Sequence, residues 1–175
     1  MKRLILLRHA KANPDKPGLD DRDRVLADKG RADAIRMGQY LQEEGCAPDV
    51  VICSPAARTR QTLELALPQL ETSPAVRYLD ELYLARWLTI VNAIRQTPKA
   101  TDTLMVVGHN PGLEDCARKL ARPPGDAQAR KLHDALRAKY PTGAVAVLDF
   151  DVSDWKSIEA GDGELEFFAT PKDLA

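Results

Sequence analysis

No charge of either sign dominates this sequence: 25 Lys and Arg stand against 26 Asp and Glu, for a formal net charge of −1. So balanced a chain has no global field to draw it onto nucleic acid or an anionic membrane, and any affinity for anions must be local. Long apolar runs are missing too. The compact ones, Leu4–Leu7 and Leu104–Val107 among them, fall far short of the roughly 20 residues that a membrane span requires. Met1–Arg8 has a basic start, but its apolar stretch is too short for the core of a signal peptide. Cysteine is scarce and odd in number. Cys46, Cys53 and Cys116 show no C-x-x-C spacing; they read as reduced thiols of a cytoplasmic protein and imply neither a disulfide framework nor a zinc knuckle. Also absent are the phosphate loop G-x-x-x-x-G-K-S/T, the dinucleotide loop G-x-G-x-x-G, the elbow G-x-S-x-G and the metal motif H-E-x-x-H.

What is present is a chain of 175 residues, 44% hydrophobic and 29% charged, which suits one soluble domain over residues 1–175 with a proper core. Arg3–Arg8 reads as a strand buried on both faces, followed by a polar loop over Lys11–Arg24. Asp28 is placed to cap a helix to about Glu44, with Ala34, Gly38 and Leu41 on one face and Gly45 at its stop. Asp49–Cys53 is a second strand. Ser54-Pro55 then offers an N-cap and a first-turn proline to a helix with Leu63, Leu67 and Leu70 on one face. Further strands are expected at Ala75–Leu79, Thr103–Val107, Ala144–Phe150 and Glu164–Ala169, and further helices at Arg86–Gln96, after Gly112 and at Asp126–Lys139. Strands alternating with helices predict an α/β sandwich: a mostly parallel central sheet flanked by helices. Ligands of such sheets sit at the carboxyl ends of the strands.

Only three histidines occur, and two of them, His9 and His109, stand one or two residues past an apolar strand. The third, His133, lies in the polar helix and is expected to be solvated. Arg58 and Arg60 fall in the first two turns of the helix after the second strand, where the dipole disfavours cations by a few tenths of a kcal/mol. A helix N-terminus beside an arginine nevertheless makes a good anion site. Arg8, next to His9, adds a second guanidinium. The resulting set is Arg8, His9, Arg58 and His109, from three strand ends. It holds no carboxylate pair for Mg²⁺ and no third histidine or cysteine for zinc, so no metal or other cofactor is expected. A phosphoryl group fits it best, because bidentate arginines stabilise charge spread over three oxygens. A neutral imidazole, kept neutral by the neighbouring cations, can then serve as nucleophile.

These residues resemble the signatures of the histidine phosphatase superfamily. Leu7-Arg8-His9-Ala10 is similar to its strand-end R-H-G/A motif, Ser54-Pro55-Ala56-Ala57-Arg58-Thr59-Arg60-Gln61-Thr62 to its S-P-x-x-R-x-x-Q-T block, and Val106-Val107-Gly108-His109-Asn110-Pro111 to the block of its second histidine. Arg8-His9-Ala10-Lys11, Asp23-Arg24 and the tail from Pro141-Thr142-Gly143 to Pro171 bring the chain closest to the SixA-type phosphohistidine phosphatases. The resemblance implies a phosphoglycerate mutase-like three-layer sandwich. It makes His9 the phosphorylated nucleophile and sets Arg8, Arg58 and His109 on the phosphoryl oxygens. It also implies an acid for the leaving group after the third strand, where Glu81 matches and Asp80 is its rival.

Residues 82–108 between Glu81 and His109 leave room for one helix, not for the large helical lid that encloses small sugar phosphates in bigger relatives. An open site suits a phosphorylated side chain on another protein, including a phosphohistidine-carrying domain. The expectation is therefore a metal-independent phosphatase of phosphoprotein, cytoplasmic and a monomer or weak oligomer, with no nucleic-acid or membrane partner. A phosphatase of small phosphate esters, a mutase and a non-catalytic phosphate-binding module are the alternatives.

Overall fold

The structure, a computed structural model, describes residues 1–175. Strand β1 (Lys2–Arg8) lies inside the sheet because Leu4–Leu7 are apolar on both faces and wholly buried. It pairs in parallel with β4 (Thr103–Gly108). Strand β4 pairs in parallel with β2 (Val50–Cys53), and β2 with β3 (Ala75–Tyr78). On the far side β5 (Val145–Phe150) runs antiparallel to β1, and β6 (Glu164–Ala169) antiparallel to β5. The order β3-β2-β4-β1-β5-β6 makes a six-stranded, mostly parallel sheet.

The helices are α1 (Asp28–Glu43), α2 (Ala57–Ala66), α3 (Trp87–Arg95), α4 (Gly112–Leu120) and α5 (Ala127–Ala138). The two-residue alternation of β1 sorts the core into two halves. Leu4 and Leu6 join Ile90 and Ile94 of α3, Leu113 and Leu120 of α4 and Leu136 of α5. Ile5 and Leu7 join Met37 and Leu41 of α1 and Leu63 of α2. Three layers result, as expected, and truncating any of these leucines to alanine should cost about 2–5 kcal/mol. Only the short turn Asp80–Leu82 and α3 connect β3 to β4, and α3 is bound to the core by Ile90, Val91 and Ile94. No large lid is built there. No helix is long and apolar enough to cross a membrane.

Three local expectations change. Asp28 is the first residue of α1 and not its cap, the N-cap position falling to Ala27. Helix α2 stops at Ala66 and tightens into a 3₁₀ turn at Leu67–Gln69, so Leu70 reaches the core from outside the helix. His133 is buried, not solvated: it shares the inward face of α5 with Leu136, three residues on. Its neighbours in sequence are polar, but α5 is docked along just that stripe.

Candidate active site

Backbone hydrogen bonds continue past the carboxyl edge of the sheet and bring three segments side by side. The His9 N–H donates to the Gly108 carbonyl at 3.1 Å, and the Ser54 N–H to the Val107 carbonyl at 3.0 Å. The ends of β1, β2 and β4 thus arrive together, and the rings of His9 and His109 sit 5.4 Å apart, tilted by 55°. Both are buried, at 7% and 2% exposure.

The tautomer of His9 follows from one contact. Nδ1 lies 2.7 Å from the Ala10 carbonyl oxygen; a carbonyl only accepts, so Nδ1 carries the proton and Nε2 keeps its lone pair. Burial pushes the His9 pKa down to about 4, against the pull of that carbonyl, and the guanidinium groups of Arg58, Arg8 and Arg24 push the same way. Desolvation, more than the neighbouring cations, therefore holds the imidazole neutral. His109 is pushed down to about 3, by burial first and then by His9 and Arg58. Its Nε2 lies 2.7 Å from Ser54 Oγ, which also accepts from the Ala56 N–H at 3.4 Å. When the Ser54 hydroxyl donates to Nε2, Nδ1 of His109 bears the proton. Ser54 does not cap α2 as expected; Ala56 takes the cap position, and Ser54 is fully buried against His109.

The two arginines behave differently from their neighbours on the surface. Arg58 is 2% exposed and gives Nη1 to the Asp21 carbonyl at 2.8 Å and Nη2 to Asp21 Oδ2 at 3.0 Å. The Tyr83 hydroxyl donates to the same carboxylate oxygen, and the Tyr83 ring meets His109 edge-on at 5.5 Å. Hydrogen bonds from Tyr83, then from Arg24 and Arg58, hold the Asp21 carboxyl well below its usual range. The loop bearing Tyr83 is seated by Gly112, where a Cβ would come within 1.8 Å of the Ala85 carbonyl oxygen. Arg8 donates through Nη1 to the Tyr140 carbonyl at 3.0 Å, and Asn110 Nδ2 donates to the same oxygen at 2.8 Å. After these bonds, three buried side-chain nitrogens have no acceptor within the protein: Arg8 Nε, Arg58 Nε and His109 Nδ1. Natural proteins rarely leave such groups unpaired without a functional cause.

Arg8, His9, Arg58 and His109, the four residues singled out in the sequence, are thus brought together. Arg60 is not; it lies exposed, with its guanidinium 4.1 Å over the Tyr78 ring. Glu81 is exposed in the Asp80–Leu82 turn and forms no hydrogen bond or ion pair; Asp80 pairs weakly with Arg22 at 3.5 Å. Within that segment it is Tyr83 that touches the histidine. Lys11 is exposed beside the site. Sequence reasoning missed Asp21, inside what read as a plain polar loop, and it missed Tyr83 and Tyr140. The Gln and Thr of the second block also gain a physical meaning: Thr62 Oγ1 accepts from the Ala10 N–H at 2.9 Å, and Gln61 Oε1 from the Leu26 N–H at 2.8 Å. Both tie α2 to the segment that follows His9.

A family model described as the histidine phosphatase superfamily (branch 1) matches residues 4–148, taking in every block of this site. The chain belongs to that superfamily. It is 35% identical over 167 residues to the uncharacterized protein Rv1276c of Mycobacterium tuberculosis, covering 95% of this chain and 100% of the relative. Among solved structures it is similar to the "putative phosphohistidine phosphatase SixA" of Nakamurella multipartitia, with 33% identity, TM-score 0.83 and coverage of 97% of this chain and 96% of that one. The protein of the same description from Agrobacterium tumefaciens aligns with TM-score 0.80 and 32% identity over 97% and 98% of the two chains. Family and architecture together support a phosphatase of the histidine phosphatase type.

Proposed function

We propose that this histidine phosphatase domain hydrolyses phosphohistidine, or another phosphorylated side chain, on a protein, through a phosphohistidine formed at His9 Nε2. The observation that carries the reading is the set of three buried side-chain nitrogens without hydrogen-bond partners, one each from Arg8, Arg58 and His109, beside an imidazole whose free lone pair is on Nε2. In the first step the Nε2 lone pair attacks phosphorus in line, and the bond to the leaving nitrogen or oxygen breaks. Charge on the three equatorial oxygens is met by Arg8 Nε, Arg58 Nε and His109 Nδ1. Glu81 is the group assigned to protonate the leaving atom. An imidazole leaves more readily than an alkoxide, so an exposed, loosely held acid suffices for it. Water then attacks the phosphorylated His9, the P–N bond breaks, and inorganic phosphate departs as Nε2 regains its lone pair. The absence of a lid between β3 and β4, and likeness to chains described as phosphohistidine phosphatases, support a protein substrate.

The test is phosphate release from an aryl phosphate and from a phosphohistidine-bearing protein domain, with chelator present, for wild type and His9→Ala. The expected result is turnover that survives chelation and falls at least about 10⁴-fold in the variant, with an acid-labile phosphoryl adduct trapped on wild type alone. Turnover by His9→Ala near the wild-type rate would overturn the covalent step. Preference for small esters over the protein would move the reading to a small-molecule phosphatase.

A further inference from the structure

A cleft of about 440 Å³ opens beside the catalytic pocket. Its walls come from the loop after β1, the first turns of α1, the end of α5 and the C-terminal 3₁₀ turn Pro171–Leu174. Two of its lining residues flank the segment of the nucleophile. Lys11 lines it two residues after His9, and Thr142 lines it immediately before Gly143, whose N–H donates to the His9 carbonyl at 2.8 Å. Gly143 has φ +78°, and a Cβ there would stand 2.7 Å from Pro171 Cγ, so the C-terminal turn is pressed directly against the flank of the site.

Four lysines line this cleft: Lys11, Lys29, Lys139 and Lys172. Only Lys29 has a carboxylate partner, Asp33 at 2.7 Å; the other three form no ion pair. The second carboxylate of the lining, Asp173, is engaged by the Thr170 N–H at 3.0 Å. The whole chain carries a net charge of −1, so this concentration of unpaired cations is a local field and not a share of a basic surface.

Resting on the phosphatase reading above, we infer that the lysine-lined cleft takes the acidic side chains flanking the phosphorylated residue of a polypeptide substrate. The choice of cation supports a set of carboxylates over one further phosphate. The catalytic pocket uses buried, braced arginines, whose planar forks suit a single phosphoryl group. The cleft uses only lysines, compact point charges on flexible stems, spread over four segments and able to follow several carboxylates at once. An extended acidic segment leaving the His9 pocket would run along them.

Two synthetic peptides test the inference, each with one phosphohistidine and differing only in having Asp and Glu, or Asn and Gln, beside it. Wild type and Lys139→Glu/Lys172→Glu are compared on both peptides and on an aryl phosphate. In wild type the acidic peptide should have a kcat/KM about tenfold higher, mostly through KM, and the advantage should shrink as salt is added. The double variant should lose or reverse that preference and keep its aryl phosphate turnover, with Lys139→Gln/Lys172→Gln falling between. Equal rates on the two peptides in wild type would overturn the inference, as would an equal loss on the aryl phosphate or a lysine-dependent preference for a small bisphosphate. If no substrate is hydrolysed at all, the phosphatase reading fails by itself. The cleft is then judged by calorimetric binding of the unphosphorylated acidic peptide: loss of binding in the double variant sustains it, and equal binding sinks it.

Discussion

Lys2 and Arg8 stand at opposite ends of β1, and the protein treats the two cations in opposite ways. At the amino end Lys2 is 3% exposed, and its ammonium donates to the Lys99 carbonyl at 2.6 Å, the Thr101 carbonyl at 2.7 Å and Asp102 Oδ1 at 3.1 Å. All three of its N–H groups are satisfied. Arg3, beside it, grips both oxygens of Asp149 at 2.7 and 2.8 Å, and Trp155 Nε1 closes the same corner on the Thr101 carbonyl. At the carboxyl end Arg8, Arg58 and His109 each keep a buried nitrogen without an acceptor. One edge of the sheet is an internally neutralised lock; the other keeps three buried nitrogens without partners. Burying a polar group unpaired costs about 1–3 kcal/mol, a cost that the proposed phosphoryl ligand would offset.

Breaking the carboxyl end should therefore hurt catalysis and spare the fold, and breaking the amino end should do the reverse. The largest of these effects is expected for Arg58→Ala, which removes a proposed phosphoryl donor and one of the two arginines that hold Asp21. We expect kcat/KM to fall by about 10²–10³-fold, and Arg58→Lys to recover little of it, because an ammonium cannot reproduce the fork held by Asp21. Steady-state kinetics on an aryl phosphate decides this. Lys2→Met should lower stability by about 1–3 kcal/mol, since the Lys99 carbonyl loses its donor and the Thr101 carbonyl keeps only Trp155 Nε1. Urea unfolding should show a lower midpoint at unchanged slope, and turnover per folded molecule should stay at the wild-type level.

The carboxyl end should also carry a pH signature. His9 and His109 titrate near 4 and 3 in the folded protein, against about 6.5 in the unfolded chain. Above pH 6.5 both states are neutral there, and these groups add no pH dependence. As pH falls from 6.5 towards 4 the unfolded chain takes up protons that the folded one refuses, so stability is lost. Each histidine contributes a slope of up to about 1.4 kcal/mol per pH unit. His9→Asn should remove one histidine's share, which melting curves between pH 4 and 8 would register. The smallest effect is expected at Glu81, which nothing braces. Glu81→Gln should slow an alkyl phosphate by about tenfold and a phosphohistidine or aryl phosphate by far less, because the latter leaving groups need little protonation. A loss of equal size on all three would remove Glu81 from the role of acid.

The elements and the four residues gathered at the sheet's edge were legible in the chain because their signals are local. Leu4–Leu7 and Leu104–Val107 announce buried strands, and Arg8, His9 and His109 sit within two residues of a strand end, where the rules of α/β sheets place ligands. Arg58 was legible through its place just after β2. Contacts between distant residues were not. Asp21 meets Arg58 across 37 positions and Tyr83 across 62, and no periodicity in a polar loop foretells either. The same limit hid the role of Ser54, read as a helix cap although its hydroxyl faces a histidine 55 residues away.

By itself, then, the order of apolar runs and the residues beside their ends determined an α/β sheet with two histidines and two arginines at one edge. Only the tertiary structure decided which nitrogen of His9 is free and that His133 is buried. Each of those answers depends on how a helix or ring is rotated against its neighbours. Successive helical residues differ by about 100° in direction, and that rotation is set by packing partners far along the chain.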